Sequence, residues 1–138
     1  MYIRYGFLAD AVVPGSMGKK NIIGTFHTVF AQKFPCIHPS LSLAIRVEGD
    51  ASEIGRHHIE LGFVDADYNA VREPITTQFD LQKEKLPIEG VPAANEVAIT
   101  IQNLSLPKAG WYEFVVKVDG RHLGSVPLYA IRLSDSLS

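Results

Sequence analysis

The stretch Gly110-Trp111-Tyr112-Glu113-Phe114-Val115-Val116-Lys117-Val118-Asp119-Gly120 constrains the fold more than any other part of the chain. Tyr112, Phe114, Val116 and Val118 recur with a period of two, and Glu113 and Lys117 take alternate positions. That spacing predicts a strand with one face on a core and the other toward water. Asp119-Gly120 then suits a two-residue hairpin turn, whose central residues need a positive φ. The returning strand is expected over Arg121 to Leu133. Pro127 cannot donate to a sheet ladder, so part of that strand is expected on an edge or at a bulge.

Comparable segments recur between turn residues. Tyr2 to Val13 reads as a strand closed by Pro14-Gly15-Ser16-Met17-Gly18. Asn21 to Ala31 reads as one strand, with Ile22, Phe26 and Phe30 on one face and Thr25, His27 and Val29 on the other. Two prolines predict an irregular crossing from Phe34 to Ser40, before the clean alternation of Leu41, Leu43, Ile45 and Val47. Arg56 to Asp65 follows, with Ile59, Leu61 and Phe63 inward, and Asp67-Tyr68-Asn69 turns the chain toward Glu73 to Leu81. Lys83 to Asn95 is expected to cross between sheets, and Val97, Ile99 and Ile101 mark the next strand.

No segment sustains a 3.6-residue period for three turns. About eight short strands at regular spacing predict an all-β domain, an antiparallel β-sandwich of immunoglobulin-like or jelly-roll type. Tyr112 suits the corner of immunoglobulin-like sandwiches, where a tyrosine hydroxyl bonds back to nearby backbone. The length of 138 residues fits one domain, over 1–133, with a polar tail at 134–138 expected to fray.

The net charge is −2, and the runs Lys19-Lys20 and Lys83-Glu84-Lys85 are too short to form a basic patch. Both read as solvated turns, and nucleic acid is not expected among the partners. Cys36 is the only cysteine, which excludes a disulfide framework and fits a reducing compartment. It lacks the local signatures of a cysteine protease and reads as a small hydrophobe. Arg4 and Asp10 interrupt the apolar start of the chain, unlike a secretory signal, and no run approaches the roughly 18 apolar residues of a membrane span. The expected location is cytoplasmic, with no membrane partner.

Candidate chemistry is sparse. Of His27, His38, His57, His58 and His122, adjacent His57 and His58 point to opposite faces of a strand and cannot share a metal. No ligand spacing for zinc is present, and no metal or other cofactor is expected. Asp65-Ala66-Asp67-Tyr68-Asn69 begins like a calcium loop, but Ala70 stands where glycine is needed and Thr76 where glutamate is needed. A turn held by side-chain to backbone bonds accounts for the same residues. The motifs G-x-S-x-G, Gly-Lys-Ser/Thr and G-x-G-x-x-G are absent.

The outward face of the Gly110 strand is less polar than a solvated face. Trp111 and Val115 lie there, with Val126 and Leu128 as expected neighbours across the hairpin, and together they form a candidate contact patch. The alternative is that the Lys83 to Asn95 connection covers it.

With Tyr5-Gly6-Phe7-Leu8-Ala9-Asp10-Ala11, Lys20-Asn21-Ile22-Ile23-Gly24-Thr25-Phe26, Phe34-Pro35, His38-Pro39-Ser40-Leu41 and Gly110 to Gly120, the chain resembles a family of small bacterial β-sandwich proteins of unknown function. The resemblance implies a stand-alone sandwich and brings no assigned site residue. The leading expectation is a non-enzymatic binding or assembly module, acting on a protein partner or a second copy through a strand edge or the Trp111 face. A ligand-binding or metal-dependent enzyme with a cleft lined by His38, His57, Asp65 and Asp67 is the first alternative. A carbohydrate-binding sandwich is the second, and it requires Trp111 and Tyr68 on one flat face.

Overall fold

The computed structural model describes residues 1–86 and 88–134. Among them nine strands form two sheets, and no α-helix is present. The strands are β1 (Tyr2–Pro14), β2 (Lys20–Phe26), β3 (Thr28–Ala31), β4 (Cys36–Gly49), β5 (Gly55–Asp65), β6 (Ala70–Leu81), β7 (Ala93–Leu106), β8 (Gly110–Val118) and β9 (Arg121–Arg132). One sheet has the order β2-β1-β4-β7, the other β3-β9-β8-β5-β6. Every neighbouring pair is antiparallel except β3 and β9, which run parallel. Of the tail, all but Ser134 lies outside the described residues.

Alternation in the sequence becomes one shared core. Leu41, Leu43, Ile45 and Val47 of β4 and Ile99 and Ile101 of β7 bury against Ile59, Leu61 and Phe63 of β5 and Tyr112, Phe114 and Val116 of β8. Phe63 packs on Tyr112 and Phe114 with ring centroids 5.2 and 4.5 Å apart, within the range of favourable aromatic pairs. The Tyr112 hydroxyl donates to the Lys108 carbonyl at 2.6 Å and accepts from the Lys108 N–H at 3.2 Å. This ties the connection before β8 to the core, as expected of a tyrosine corner.

Two expectations are corrected. Asn21 to Ala31 is not one strand: the chain bends at His27, so β2 pairs with β1 in one sheet and β3 with β9 in the other. The change of sheet reverses the parity, leaving Val29 buried and Phe30 exposed. The crossing from Phe34 to Ser40 is shorter than expected, because β4 already begins at Cys36. Pro39 fits inside β4 because the β4–β7 ladder skips that position, opposite Asn103 with its φ of 54°.

The β8–β9 hairpin turns at Asp119-Gly120, where φ is 51° and 80°. Its register slips by one residue just beyond: Val118 faces Arg121 and Lys117 faces His122, but Val116 faces Gly124. Leu123 is the extra residue of a β-bulge. A one-residue slip turns every later side chain to the other face. Val126 and Leu128, expected beside Trp111 on the outer face, therefore pair with Phe114 and Tyr112 and lie in the core, 8% and 0% exposed. Gly6 of β1 leaves room for Val126, since a Cβ there would stand 2.9 Å from Val126 Cγ2. Pro127 sits where β9 has β8 on one side only, because pairing with β3 starts at Tyr129. Replacing Leu128 by alanine is expected to lower the unfolding free energy in urea by about 2–5 kcal/mol. A change of less than about 0.5 kcal/mol, the usual size for a surface site, would contradict this register.

Candidate functional site

Two wide hollows, one lined by charged side chains and one largely apolar, lie on the surface. One, of about 590 Å³, is lined by Tyr5, Lys19, Lys20, Arg46, Glu84 and Glu96 among others. Arg46 at its wall holds three carboxylates: Glu48 at 2.8 Å, Glu84 at 3.2 Å and Glu96 at 3.5 Å. Tyr2 donates to Glu48 at 2.7 Å and Tyr5 to Glu96 at 2.5 Å. The Arg46 guanidinium holds the buried Glu48 carboxyl below its ordinary range. Burial, reinforced by Glu96, pushes the Tyr5 phenol up to about 12. The carboxylates paired with Arg46 pin the start of the β6–β7 connection onto the outer face of the four-stranded sheet, while Lys19, Lys20 and Lys83 line the same hollow and, among the described residues, have no ion pair. A second hollow, of about 680 Å³, is an apolar seam between β1 and β9 lined by Phe7, Phe26, Phe30, Val126 and Pro127.

The Trp111 face is different. Since Val126 and Leu128 turn inward, the outward neighbours of β8 are Tyr129 beside Trp111, Pro127 beside Glu113 and Ser125 beside Val115. On the other side β5 places Val64 beside Glu113 and Gly62 beside Val115. Trp111 is 53% exposed and so is not covered, and residues 82–84 of the β6–β7 connection lie at the other sheet beside Tyr5 and Arg46. The pairing of Asp65 with Tyr112 carries the β5–β6 turn to the start of β8. There Asp65, Ala66, Tyr68, Trp111 and Glu113 line a notch of about 120 Å³.

The turn is a rigid mount. One Asp65 carboxylate oxygen accepts from the N–H groups of Asp67 and Asn69, at 2.9 and 3.0 Å. The Tyr68 N–H donates to the Asp65 carbonyl at 3.0 Å. Tyr68 itself has φ 61°, a left-handed conformation that glycine or asparagine ordinarily fills in such a turn. For a bulky L-residue this costs about 1–2 kcal/mol. Its ring is 75% exposed, so little packing offsets that cost. The Trp111 ring meets Tyr129 edge to face, with centroids 5.7 Å apart and planes at 68°. Among the described residues, the Trp111 indole N–H, the Tyr68 hydroxyl, the Glu113 carboxylate and the second Asp65 oxygen have no hydrogen-bond partner.

The proposed His38–His57–Asp65–Asp67 cleft does not form. His38 lies in the four-stranded sheet against Phe26, and His57 is in the five-stranded sheet at the opposite end of β5 from Asp65. Among the described residues no group of three or more His, Cys, Asp or Glu side chains is placed to hold a metal ion. Asp67 contributes its backbone to the Asp65 turn. His57 is a structural tie: its Nδ1–H donates to Asp119 Oδ2 and its Nε2–H to the Glu53 carbonyl, both at 2.5 Å. Two acceptors require both nitrogens protonated, so this geometry is that of the imidazolium.

The Asp119 hydrogen bond raises the His57 pKa above its ordinary 6.5, and the same bond lowers Asp119 below its ordinary 3.8. The His57 contribution to stability is complete below its unfolded pKa and is lost as pH rises through the folded one. The Asp119 contribution is complete above its unfolded pKa and is lost as pH falls through the folded one. The tie is thus strongest between about pH 4 and 6.5. The urea midpoint is expected to fall from pH 6 to pH 8.5, and His57→Gln to flatten that fall. Parallel curves for the two proteins would contradict the imidazolium tie.

No curated protein matches the sequence. A solved structure of the Pseudomonas fluorescens alkylpurine DNA glycosylase AlkC, bound to DNA containing an abasic site analogue, is similar to this chain at 15% identity and a TM-score of 0.46. The likeness covers 78% of this chain and 28% of that one. The partner expectation, which named proteins and excluded nucleic acid, is corrected: that exclusion does not stand. Net charge is a sum over the whole surface, whereas binding follows local charge, so a value of −2 is no ground for that exclusion. A likeness of this extent assigns no DNA binding to this chain. No helix among the described residues is long and apolar enough to cross a membrane. Residues 4–131 match the model of a family described as a family of unknown function (DUF6941), and the chain belongs to that family.

Proposed function

We propose that this protein is a non-enzymatic binding module, an immunoglobulin-like β-sandwich that takes its ligand at the Trp111–Tyr68 notch. The observation that carries the reading is Tyr68: a residue in a costly backbone conformation, exposed, that lines one notch with an exposed tryptophan. Strain held at an exposed aromatic residue is a mark of ligand sites. The sandwich subtype is supported by the order β3-β9-β8-β5-β6, with a short strand running parallel to the last one, and by the Tyr112 corner at the start of β8.

Carbohydrate binding is the second reading, because Trp111 and Tyr68 do line one notch. Against it, the edge-to-face contact of Trp111 with Tyr129 makes a corner of the aromatic surface, where a sugar ring needs a flat platform. Trp111 is the only tryptophan, so its emission reports directly on the notch.

The test is a titration of Trp111 emission with neutral sugars, small organic cations and small organic anions. A saturable change with one class is expected, and Tyr68→Gly is expected to abolish it. That variant should also gain up to about 1 kcal/mol of stability, because glycine relieves the left-handed strain. A flat response to all three classes, or a clear loss of stability in Tyr68→Gly, would remove the reading.

A further inference from the structure

We infer that the notch is selective for an alkylammonium head group; this rests on the binding reading above. Two aromatic rings and two carboxylates face the space, and no Lys, Arg or His lines it. Glu113 is the informative member. Its cross-strand neighbours are Val64 and Pro127, and along β8 it lies between Trp111 and Val115. None of these can neutralise it, and among the described residues it has no ion pair. Several other acids are paired: the buried Glu48 and the more exposed Glu84 and Glu96 with Arg46, Glu53 with the N-terminus, Asp80 with Arg56. The second Asp65 oxygen is likewise unpartnered, while its first is locked to the turn by two N–H groups.

Such a site repels anions and lacks a counter-charge of its own. A cationic head supplies it, and the tryptophan and tyrosine that line the notch are the side chains that attract a cation placed over their rings. Size points the same way. A volume of about 120 Å³ is well below the roughly 300 Å³ at which sites for drug-sized ligands begin, so it admits a head group and not an oligosaccharide. The Asp65 turn sets the Tyr68 backbone, and Tyr129 packs against the Trp111 ring.

The experiment compares choline with its uncharged isostere 3,3-dimethyl-1-butanol, and with Nα-acetyl-lysine amide and methyl glucoside. Each is titrated at constant ionic strength against Trp111 emission. Choline or the lysine amide should saturate at least tenfold more tightly than the uncharged isostere. Glu113→Gln should weaken that binding about tenfold with an unchanged circular-dichroism spectrum, and Tyr68→Gly should weaken it as well. Tighter binding of choline identifies a small free cation as the source of the head group, and tighter binding of the lysine amide identifies a lysine side chain. Equal affinity for choline and the uncharged isostere would overturn the inference, since the notch would then be merely apolar. Saturation by the glucoside alone would overturn it too, while leaving the binding reading intact. Silence toward all four would sink both.

Discussion

The pairing of β8 with β5 on one side and β9 on the other is the constraint on which the rest depends. It stacks Phe63 between Tyr112 and Phe114 at the centre of the core, and by parity it turns Trp111, Glu113 and Val115 outward. The same pairing ends with Asp65 opposite Tyr112, which delivers the β5–β6 turn to Trp111. Core and notch are therefore two faces of one ladder. A side chain on β8 cannot be moved from one to the other without slipping the register that buries the aromatic cluster.

That dependence explains what was legible in the sequence. The inward positions of β4, β5 and β8 follow from alternation alone, because a strand with one buried face writes its period into the residue types. The Asp119-Gly120 turn and the Tyr112 corner are local, and short-range chemistry specifies them. The outer neighbours of Trp111 are not local. A two-residue turn without a bulge sets Leu128 opposite Trp111, and only the extra residue at Leu123 replaces it by Tyr129. Apolar Leu123 in an apolar run gives no sign of a bulge. The split of β2 from β3 at His27 escapes for a similar reason, since the alternation continues on both sides of the bend while the sheet changes.

The notch was half legible. Tyr68 and Trp111 are visible as candidate partners, but they lie far apart in the sequence, and nothing local says that β5 adjoins β8. Glu113 reads as an ordinary water-facing residue of an alternating strand. Its unpaired state emerges only when Val64 and Pro127 are seen on either side of it. The signal open to a closer reading was Tyr68, an aromatic residue in an Asp-rich turn where glycine or asparagine is the easy choice.

Arg46 and Glu113 show how the same fold treats charge in two ways. On the outer face of the four-stranded sheet, each carboxylate drawn toward burial finds Arg46 or a tyrosine hydroxyl, and the network holds a connection in place. On the outer face of the five-stranded sheet, Glu113 stands among apolar neighbours without such a partner. A network of the first kind is complete in itself and gains little from a ligand. The second kind has no counter-charge within the described fold, and the strained Tyr68 beside it adds a cost that its exposed side chain does not recover. An unpaired carboxylate and a strained aromatic residue at one notch are what a site looks like when the compensating contact comes from outside.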